Sequence, residues 1–340
     1  MMKAFTISEP FKTRIGNQEM PVAKKGESLL KTLYAGICGS DVAAFKGEQP
    51  FVTYPRIPGH EGVYEVVETD DEAKELKAGD IVTVEPYFNC GKCYPCLHGR
   101  RNCCVENQTM GVHRNGVMAE YFSVPNEKIY KIGDNTDVDP SMSLTEPLGV
   151  AMHAVVQACI TPLDNVFIVG AGPIGLCIAV LCRYYGAEAI ITDIDPFRLG
   201  MAAKLGFEHA FIAGSEDGKQ LVQKMTGKSG CDAVFEATGT PEGFMSAIEM
   251  AASSGRIVLV GNGKREVKFC HSVLLKKELR LLGSRNSQGC FPKIIDLLKT
   301  RKIDVKAIIT HIIDFKDVER AFKMISDIQE PVGKVLIRFS

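Results

Sequence analysis

The chain has 340 residues, of which 45% are hydrophobic and 24% are charged, and this length predicts two domains rather than one core. Its 40 basic and 41 acidic residues leave a net charge of −1, which argues against a nucleic acid partner. The N-terminal segment lacks the apolar core of a secretory signal, and no apolar run approaches the roughly 20 residues of a membrane span. We therefore expect a cytoplasmic protein that has no membrane partner.

The first part of the chain, to about residue 145, is rich in Gly, Pro and short runs of β-forming residues. Glycines and prolines separate these runs at short intervals, which is typical of a β-rich, partly open barrel. The clearest runs are Ser28–Leu33, Val63–Glu68, Asp80–Glu85 and Glu120–Val124.

After this point the pattern changes, because short apolar runs alternate with helical stretches. The alternation predicts an α/β domain with a doubly wound parallel sheet that is covered by helices on both faces. The strand-like runs are Asn165–Gly170, Ala189–Asp193, His209–Ile212, Ala233–Glu236 and Arg256–Gly261, and Leu279–Leu282 is a candidate sixth strand. The helical stretches end near Tyr185, Leu205 and Ala252.

The last part of the chain has its own order of elements, which is helix Pro292–Lys299, strand Ile308–Ile313, helix Phe315–Ile325 and strand Lys334–Phe339. We expect this tail to return to the β-rich domain, which would then be discontinuous and comprise residues 1–147 and 288–340. Residues 148–287 would form the parallel-sheet domain.

A glycine-rich segment follows the first strand of the parallel-sheet region and contains the pattern GxGxxG. Gly170 allows a tight turn, Gly172 lets the backbone approach a pyrophosphate, and Gly175 lets the next helix pack closely on the strand. Pro173 and Ile174 open that helix, whose N-terminus offers free N–H groups to phosphates. The segment therefore predicts a dinucleotide site, and the alternative is a strand–helix turn without a cofactor.

Asp193 ends the next strand, 18 positions after Gly175, where a spacing of about 20 is typical of dinucleotide sites. A carboxylate at this place accepts hydrogen bonds from both ribose hydroxyls and repels a 2′-phosphate, so NAD is favoured over NADP. Arg198 either accommodates that phosphate or packs against the adenine. For Asp193 the competing interpretation is a helix N-cap.

Four cysteines form the strongest metal-binding pattern in the chain. Cys90, Cys93 and Cys96 recur every three residues, and Cys104 follows after a loop. Four thiolates can enclose one tetrahedral zinc ion and leave no open position, which indicates a structural site. Cys103 is the rival for the fourth place, and an iron–sulfur cluster is the alternative to zinc.

A second group of candidate metal ligands is dispersed along the chain. Cys38 lies in GICGSD, His60 and Glu61 lie in PGHEG, and Glu146 lies in LTEPLG. One thiolate, one imidazole and one or two carboxylates form a catalytic zinc set that leaves a position for water or substrate. The alternatives are a charged surface turn at His60–Glu61 and a buried thiol at Cys38.

In this order, the segments GICGSD, PGHEG, CxxCxxC and VGAGPIG resemble those of zinc-containing medium-chain dehydrogenases, over essentially the whole chain. The EPL segment at Glu146 resembles the polyol enzymes, and Ser284–Asn286 is similar to the sugar-acid enzymes of the sorbitol, galactonate and threonine dehydrogenase branch. The resemblance implies a GroES-like catalytic barrel and a Rossmann domain. It also implies two zinc ions per chain, NAD as cofactor, and a homodimer or homotetramer.

The resemblance also implies roles for individual residues. Cys38, His60 and either Glu61 or Glu146 would hold the catalytic zinc. Ser40 matches the hydroxyl that relays the substrate proton. The family spacing favours Cys104 over Cys103 as the fourth structural ligand.

Further positions matched by the resemblance lie around this set. Asp41 matches a residue that supports His60. Arg285 and Asn286 correspond to a region that contacts polar substrates and the cofactor. Ala43 stands where many relatives have a His that passes the proton to solvent, so another group must complete the relay here.

The expected activity is zinc-dependent oxidation of a secondary alcohol of a polyol or sugar acid, with NAD as hydride acceptor. Within the same family, threonine and simple alcohols are the alternative substrates. A non-catalytic nucleotide-binding protein on this fold is the alternative of another class, because a fold does not by itself imply a function.

Overall fold

A computed structural model describes residues 1–70, 76–134, 139–227, 229–327 and 330–339 of the chain. The chain divides into two compact units. The first comprises Met1–Glu146, Phe291–Lys299 and Ile309–Ser340, and the second comprises Pro147–Cys290 and Thr300–Ile308. Within the described ranges, no helix combines the length and apolar character that crossing a membrane requires.

The boundaries expected from the sequence put 1–147 and all of 288–340 in the β-rich domain. The division differs by a few residues at the two junctions, where Pro147 and residues 288–290 belong to the second unit, and by one longer internal segment. The segment Thr300–Ile308 belongs to the second unit. The physical reason is that its 3-10 turn, Lys306–Ile308, packs against the helix Pro196–Lys204 of that unit.

The first unit is built on a seven-stranded sheet in the order β16-β17-β3-β4-β5-β9, with β8 also paired to β3. The long strand β3 pairs with β4 along one edge and with β8 and β17 in turn along the other, and the β3–β4 register is irregular, as in a partly open barrel. The sheet strands are β3 (Glu27–Ile37), β4 (Gly62–Glu68), β5 (Ile81–Val84), β8 (Tyr121–Pro125), β9 (Ile129–Gly133), β16 (Ile309–Asp314) and β17 (Lys334–Arg338). The unit also contains two separate two-stranded antiparallel sheets. One pairs β1 (Met2–Glu9) with β2 (Lys12–Gln18), and the other pairs β6 (Tyr87–Phe88) with β7 (Gln108–Thr109).

The C-terminal tail is packed into the core of the first unit. The rings of Phe5 and Phe322 lie 4.9 Å apart, and those of Phe45 and Phe322 lie 5.9 Å apart. Each fully buried aromatic ring of this kind contributes about 1.5–3 kcal/mol to stability. Phe322 therefore anchors the C-terminal tail in this core, and β17 lies beside β3 through antiparallel backbone pairing. The helices of this unit are α1 (Gly39–Lys46), α2 (Tyr94–Leu97), α9 (Phe291–Lys299) and α10 (Val318–Ser326), and α3 (Thr145–Ala158) begins at its boundary.

The second unit is a six-stranded parallel sheet in the order β12-β11-β10-β13-β14-β15, the arrangement of a doubly wound dinucleotide-binding sheet. Its strands are β10 (Asn165–Val169), β11 (Glu188–Asp193), β12 (Ala210–Ile212), β13 (Cys231–Glu236), β14 (Ala251–Leu259) and β15 (Arg280–Gly283). Its helices are α4 (Pro173–Tyr184), α5 (Pro196–Lys204), α6 (Glu216–Met225), α7 (Pro241–Met250) and α8 (Ser272–Lys277). The predicted sixth strand is confirmed by β15.

Helix α7 ends two residues earlier than the sequence pattern indicated, at Met250 rather than Ala252. The ammonium group of Lys277 donates hydrogen bonds to the carbonyl oxygens of Ile248, Glu249 and Ala251, at 2.9, 3.1 and 2.8 Å. A cation at this place satisfies carbonyls that a helix C-terminus leaves free and complements the helix dipole. Lys277 thereby joins α8 to the end of α7.

Candidate active site and metal centres

Three potential metal ligands converge in the first unit where β3 ends and β4 begins. Cys38 follows β3 directly, and His60 and Glu61 immediately precede β4. Because the two strands are antiparallel and Ala35 pairs with Gly62, the end of β3 lies beside the start of β4. One ligand atom from each of the three side chains lies within 4.8 Å of the others. Sheet register thus assembles a set that is dispersed in sequence.

The carboxylate of Asp41 ties these two ligand-bearing segments together. Its Oδ2 accepts a hydrogen bond from the N–H of Cys38, and its Oδ1 accepts one from the N–H of Gly59, both at 2.9 Å. Oδ1 also lies 3.7 Å from Nδ1 of His60, which is an ion-pair distance rather than a hydrogen bond. Burial acts to lower the pKa of His60, but the negative charges of Asp41 and Cys38 outweigh it and raise that pKa well above its usual value.

The two candidate carboxylates have different buried partners. Oε1 of Glu61 accepts a hydrogen bond from Nζ of Lys334 at 2.5 Å, and Oε2 of Glu61 is buried without a hydrogen-bond partner. Oε1 of Glu146 accepts a hydrogen bond from the hydroxyl of Tyr87. Among the described residues, the group within 4.8 Å contains Cys38, His60 and Glu61 but not Glu146.

This cluster fits a divalent metal ion. A thiolate, an imidazole and a carboxylate oxygen form a typical zinc donor set. A buried carboxylate oxygen without a partner is unfavourable, and a cation bound beside Cys38 and His60 would satisfy Oε2 of Glu61. Ser40 lies in the first turn of α1, two residues after Cys38 and partly exposed.

The four other cysteines form a compact cluster of sulfur atoms. The Sγ of Cys93 lies 3.4 Å from that of Cys96 and 3.8 Å from that of Cys104, and the Sγ atoms of Cys104 and Cys90 are 3.6 Å apart. A tetrahedron with Zn–S bonds of about 2.3 Å has edges of about 3.8 Å, so the spacing suits one zinc ion. A cluster of several iron atoms needs sulfurs that lie farther apart. The fourth thiol is that of Cys104 and not that of Cys103.

Backbone hydrogen bonds favour the thiolate form of one cysteine in this cluster. Backbone N–H groups of Cys96 and Val105 donate to the sulfur of Cys93 and lower the pKa of its thiol to about 6. Burial instead raises the pKa of Cys96 to about 12. At neutral pH the Cys93 thiolate is therefore available to a metal ion before the Cys96 thiol is deprotonated.

The GxGxxG segment forms the turn between β10 and α4. Gly170 has a φ of 104°, in the region that favours glycine. A Cβ atom on Gly175 would lie 1.8 Å from the carbonyl oxygen of Gly170, which confirms the need for close packing of the helix. A Cβ atom on Gly172 would have no neighbour closer than 4.0 Å. Pro173 and Ile174 are the first two residues of α4.

Asp193 ends β11 and is held by the backbone. Its Oδ2 accepts a hydrogen bond from the N–H of Ala171 at 2.7 Å, and its Oδ1 accepts one from the N–H of Asp195 at 2.9 Å. The N-cap of α5 is Asp195, so the N-cap interpretation of Asp193 is wrong. The guanidinium of Arg198 lies 3.8 Å from Asp193 and 3.7 Å from Asp195.

A pocket of about 900 Å³ opens in the second unit beside these residues. Gly172, Asp193 and Arg198 line it, together with the loop that follows β13. Arg285 and Asn286 lie in the loop after β15, where Asn286 has a φ of 53°, and their contact with a substrate stays a prediction.

Sequence reasoning missed Glu236, which organises one wall of the pocket. It ends β13 and is buried, and its Oε1 accepts hydrogen bonds from the backbone N–H groups of Thr238 and Gly239 at 2.8 and 2.9 Å. A glutamate directly after the apolar residues Ala233–Phe235 was the available signal. The contacts of Lys334 and Tyr87 with the two candidate carboxylates were missed as well. For Lys334 the available signal was a lysine directly before the apolar run of the last strand.

Comparison with known proteins supports a single family. The models "Alcohol dehydrogenase GroES-like domain" and "Zinc-binding dehydrogenase" match residues 24–134 and 173–300. The chain is 33% identical to L-galactonate-5-dehydrogenase of Escherichia coli K12, over 95% of this chain and 94% of that protein. It is 30% identical to a sorbitol dehydrogenase of Halalkalibacterium halodurans, over 95% of this chain and 96% of that protein.

Solved structures support the same assignment. An alcohol dehydrogenase of Escherichia coli CFT073, crystallised with NADH, matches with a TM-score of 0.90 and 31% identity over 99% of both chains. The expected α/β class, with a GroES-like barrel and a Rossmann sheet, is confirmed. The chain belongs to the zinc-dependent medium-chain dehydrogenase family and is an oxidoreductase of that family.

Proposed function

We propose that the protein transfers a hydride from a secondary alcohol of a polyol or sugar acid to NAD. The observation that carries the proposal is the convergence of Cys38, His60 and Glu61, with a buried carboxylate oxygen left unpartnered. Zinc bound by these residues would supply Lewis-acid chemistry that lowers the pKa of the substrate hydroxyl. Glu146 lies close enough to act on this group electrostatically, since its negative charge also raises the pKa of His60.

The remaining residues of this cluster would position groups and move the proton. Asp41 holds the segments of Cys38 and His60 in register through two backbone hydrogen bonds. The hydroxyl of Ser40 would accept the proton of the substrate and pass it outward. Because Ala43 cannot continue this relay, a water chain or a cofactor hydroxyl would complete it.

The glycine-rich turn and Asp193 would bind the dinucleotide. Gly172 leaves room for the pyrophosphate at the N-terminus of α4. Two backbone N–H groups fix the carboxylate of Asp193, so it can accept the ribose hydroxyls and repel a 2′-phosphate. The charge of Arg198 already faces two carboxylates, those of Asp193 and Asp195, which weakens its attraction for a 2′-phosphate and favours NAD.

Three further observations support the finer parts of the proposal. The relatives at 33% and 30% identity are named for a sugar acid and a polyol. The guanidinium of Arg285 offers the several donors that a carboxylate or hydroxyl-rich chain accepts. In the described part of the sheet, β15 is an edge strand, and its free edge suits pairing with a second copy in a dimer or tetramer.

The test is a screen of NAD and NADP reduction with aldonates, polyols, threonine and simple alcohols, before and after treatment with a chelator. We expect reduction of NAD with a polyol or aldonate, and its loss after chelation. Zinc analysis should give one ion for each of the two clusters. Cys38→Ser should retain the fold, lose one zinc per chain and lose activity. Full turnover by Cys38→Ser with only the structural zinc would refute the proposal.

A further inference from the structure

The cluster at the end of β3 contains one more potential ligand than an open metal site can use. If Cys38, His60, Glu61 and Glu146 all bound one zinc ion, the tetrahedral site would be closed and would leave no position for a substrate. In an open site only one of the two carboxylates, Glu61 or Glu146, can bind the ion, so their neighbouring residues must hold them in different positions. Both are buried, at 1% and 5% exposure, so exposure to solvent does not distinguish them.

Lys334 restrains Glu61 from the C-terminal strand, 273 positions away in sequence. Its Nζ lies 2.5 Å from Oε1 of Glu61 and 3.3 Å from the carbonyl oxygen of Ile37. Because β17 pairs with β3, with Val335 opposite Ile37, the backbone of this lysine is fixed. The contact occupies one oxygen of Glu61 and leaves Oε2 buried and unpartnered.

A glycine on the neighbouring strand makes room for this arrangement. A Cβ atom on Gly36 would lie 2.8 Å from both Cγ and Cδ of Glu61. The side chain of Glu61 therefore packs directly on the backbone of β3. Gly36 and Lys334 restrain the Glu61 side chain independently, Gly36 by close steric packing and Lys334 by a charged hydrogen bond.

Tyr87 restrains Glu146 from a different direction. This tyrosine is 6% exposed and lies on β6, and its hydroxyl donates to Oε1 of Glu146 in the first turn of α3. Glu146 lies outside the described group of ligand atoms within 4.8 Å. The hydroxyl thus holds the carboxylate of Glu146 at a place outside the group that Cys38, His60 and Glu61 form.

We infer that Lys334 and Tyr87 are positioning residues that assign the two carboxylates, Glu61 to the metal ion and Glu146 away from it. The inference rests on the proposed function, because it assumes that Cys38 and His60 hold zinc. It goes beyond that function in naming the groups that keep one coordination position open. Neither positioning residue needs to touch the substrate.

The inference predicts opposite effects of two substitutions on zinc retention in the full-length holoenzyme. Lys334→Met frees Glu61 and should weaken zinc binding about 10- to 100-fold, the range found when groups that orient metal ligands are removed. Tyr87→Phe frees Glu146 to bind the ion and should leave zinc retention unchanged or stronger. Both should lower kcat.

Two measurements read the metal site without relying on turnover. Competition with a graded chelator gives the affinity for the more labile zinc. The visible spectrum of enzyme in which Co²⁺ replaces that zinc reports the number and type of ligands. In Tyr87→Phe we expect ligand-field bands that differ from those of the wild type and no longer change when a small anion is added, because Glu146 would fill the fourth position of the tetrahedral site. Lys334→Arg should restore most of the wild-type affinity.

Control variants separate this role from a structural one. Lys128→Met removes another buried lysine of the first unit, 3.8 Å from Glu85, and should leave zinc affinity and the Co²⁺ spectrum unchanged. If Lys334→Met does not fold, Gly36→Ala replaces it, because its Cβ displaces Glu61 without removing a charge. It should weaken zinc binding in the same direction.

The outcomes distinguish the inference from the proposed function. Equal zinc content in wild type and Cys38→Ser would refute the proposed function itself. If the wild type holds its second zinc, but Gly36→Ala and Tyr87→Phe show the same chelator competition and Co²⁺ spectra as the wild type, the inference is overturned and the proposed function stands. A parallel loss of zinc in Tyr87→Phe and Lys334→Met would also overturn it, because it would show that both residues only stabilise the cluster.

Discussion

Replacing Gly172 and Gly175 by alanine tests whether the two glycines of one turn serve different purposes. At Gly175 the new Cβ would lie 1.8 Å from the carbonyl oxygen of Gly170, where ordinary contact begins at 3.4 Å. Helix α4 must then move away from β10 by more than 1 Å, roughly the overlap itself. Overpacking costs up to about 3 kcal/mol and the helix preference of Ala over Gly returns about 1, so about 2 kcal/mol of stability should be lost.

At Gly172 the same methyl group meets open space. The residue has φ −68° and ψ 175°, which any residue adopts, and the nearest atom is Nη1 of Arg198 at 4.0 Å. Gly172→Ala should therefore leave the stability of the cofactor-free protein unchanged or raise it by about 0.4–1 kcal/mol. The methyl group stands where the pyrophosphate must approach, so NAD affinity should fall.

Urea denaturation without cofactor and calorimetric titration with NAD measure the two effects separately. We expect Gly175→Ala to lose stability and NAD binding together, and Gly172→Ala to lose NAD binding alone. Equal destabilisation by the two substitutions would refute the steric reasoning. Unchanged NAD affinity in Gly172→Ala would refute the assignment of this turn to the pyrophosphate.

Cys104→Ser should remove one zinc ion per chain and loosen the segment around the cysteine cluster, whereas Cys103→Ser should retain both ions, as zinc analysis will show. Glu236→Gln should raise KM for NAD more than it lowers kcat, and steady-state kinetics will test this. The amide keeps one acceptor oxygen, but its NH2 group cannot accept the hydrogen bond that Oε2 of Glu236 takes from the N–H of Gly239, so the loop after β13 is held less firmly. A hydrogen bond from the N–H of Gly26 is the largest cause of the lowered pKa of Asp70. The stabilisation by the ionised Asp70 carboxylate is complete above its unfolded-state pKa of about 3.9 and is lost as the pH falls through its lower folded-state pKa. Asp70→Asn should therefore make the urea midpoint depend less on pH in this acidic range.

Features that depend on neighbours in sequence were readable from the sequence alone. The GxGxxG turn and the cysteine cluster each lie within a short segment, so spacing and residue type specify their local geometry. The alternation of strands and helices likewise predicted the parallel sheet, since each element is short and has its own hydrophobic period. Neighbouring residues of one type were harder to separate by spacing alone. The family resemblance favoured Cys104 over Cys103, and the folded loop places Cys104 in the cluster, whereas only the structure gave the N-cap of α5 to Asp195 rather than Asp193.

Contacts between distant segments were decided by the tertiary structure. Lys334 reaches Glu61 across 273 positions because β17 pairs with β3, and Tyr87 reaches Glu146 across 59 positions. Neither pairing leaves a periodic or spaced pattern in the sequence, since sheet register and the packing of the C-terminal tail create it. The sequence alone therefore determined which chemical groups are present. The register of β3 with its neighbours determined which of these groups lie together in the buried, charged cluster of the candidate metal site.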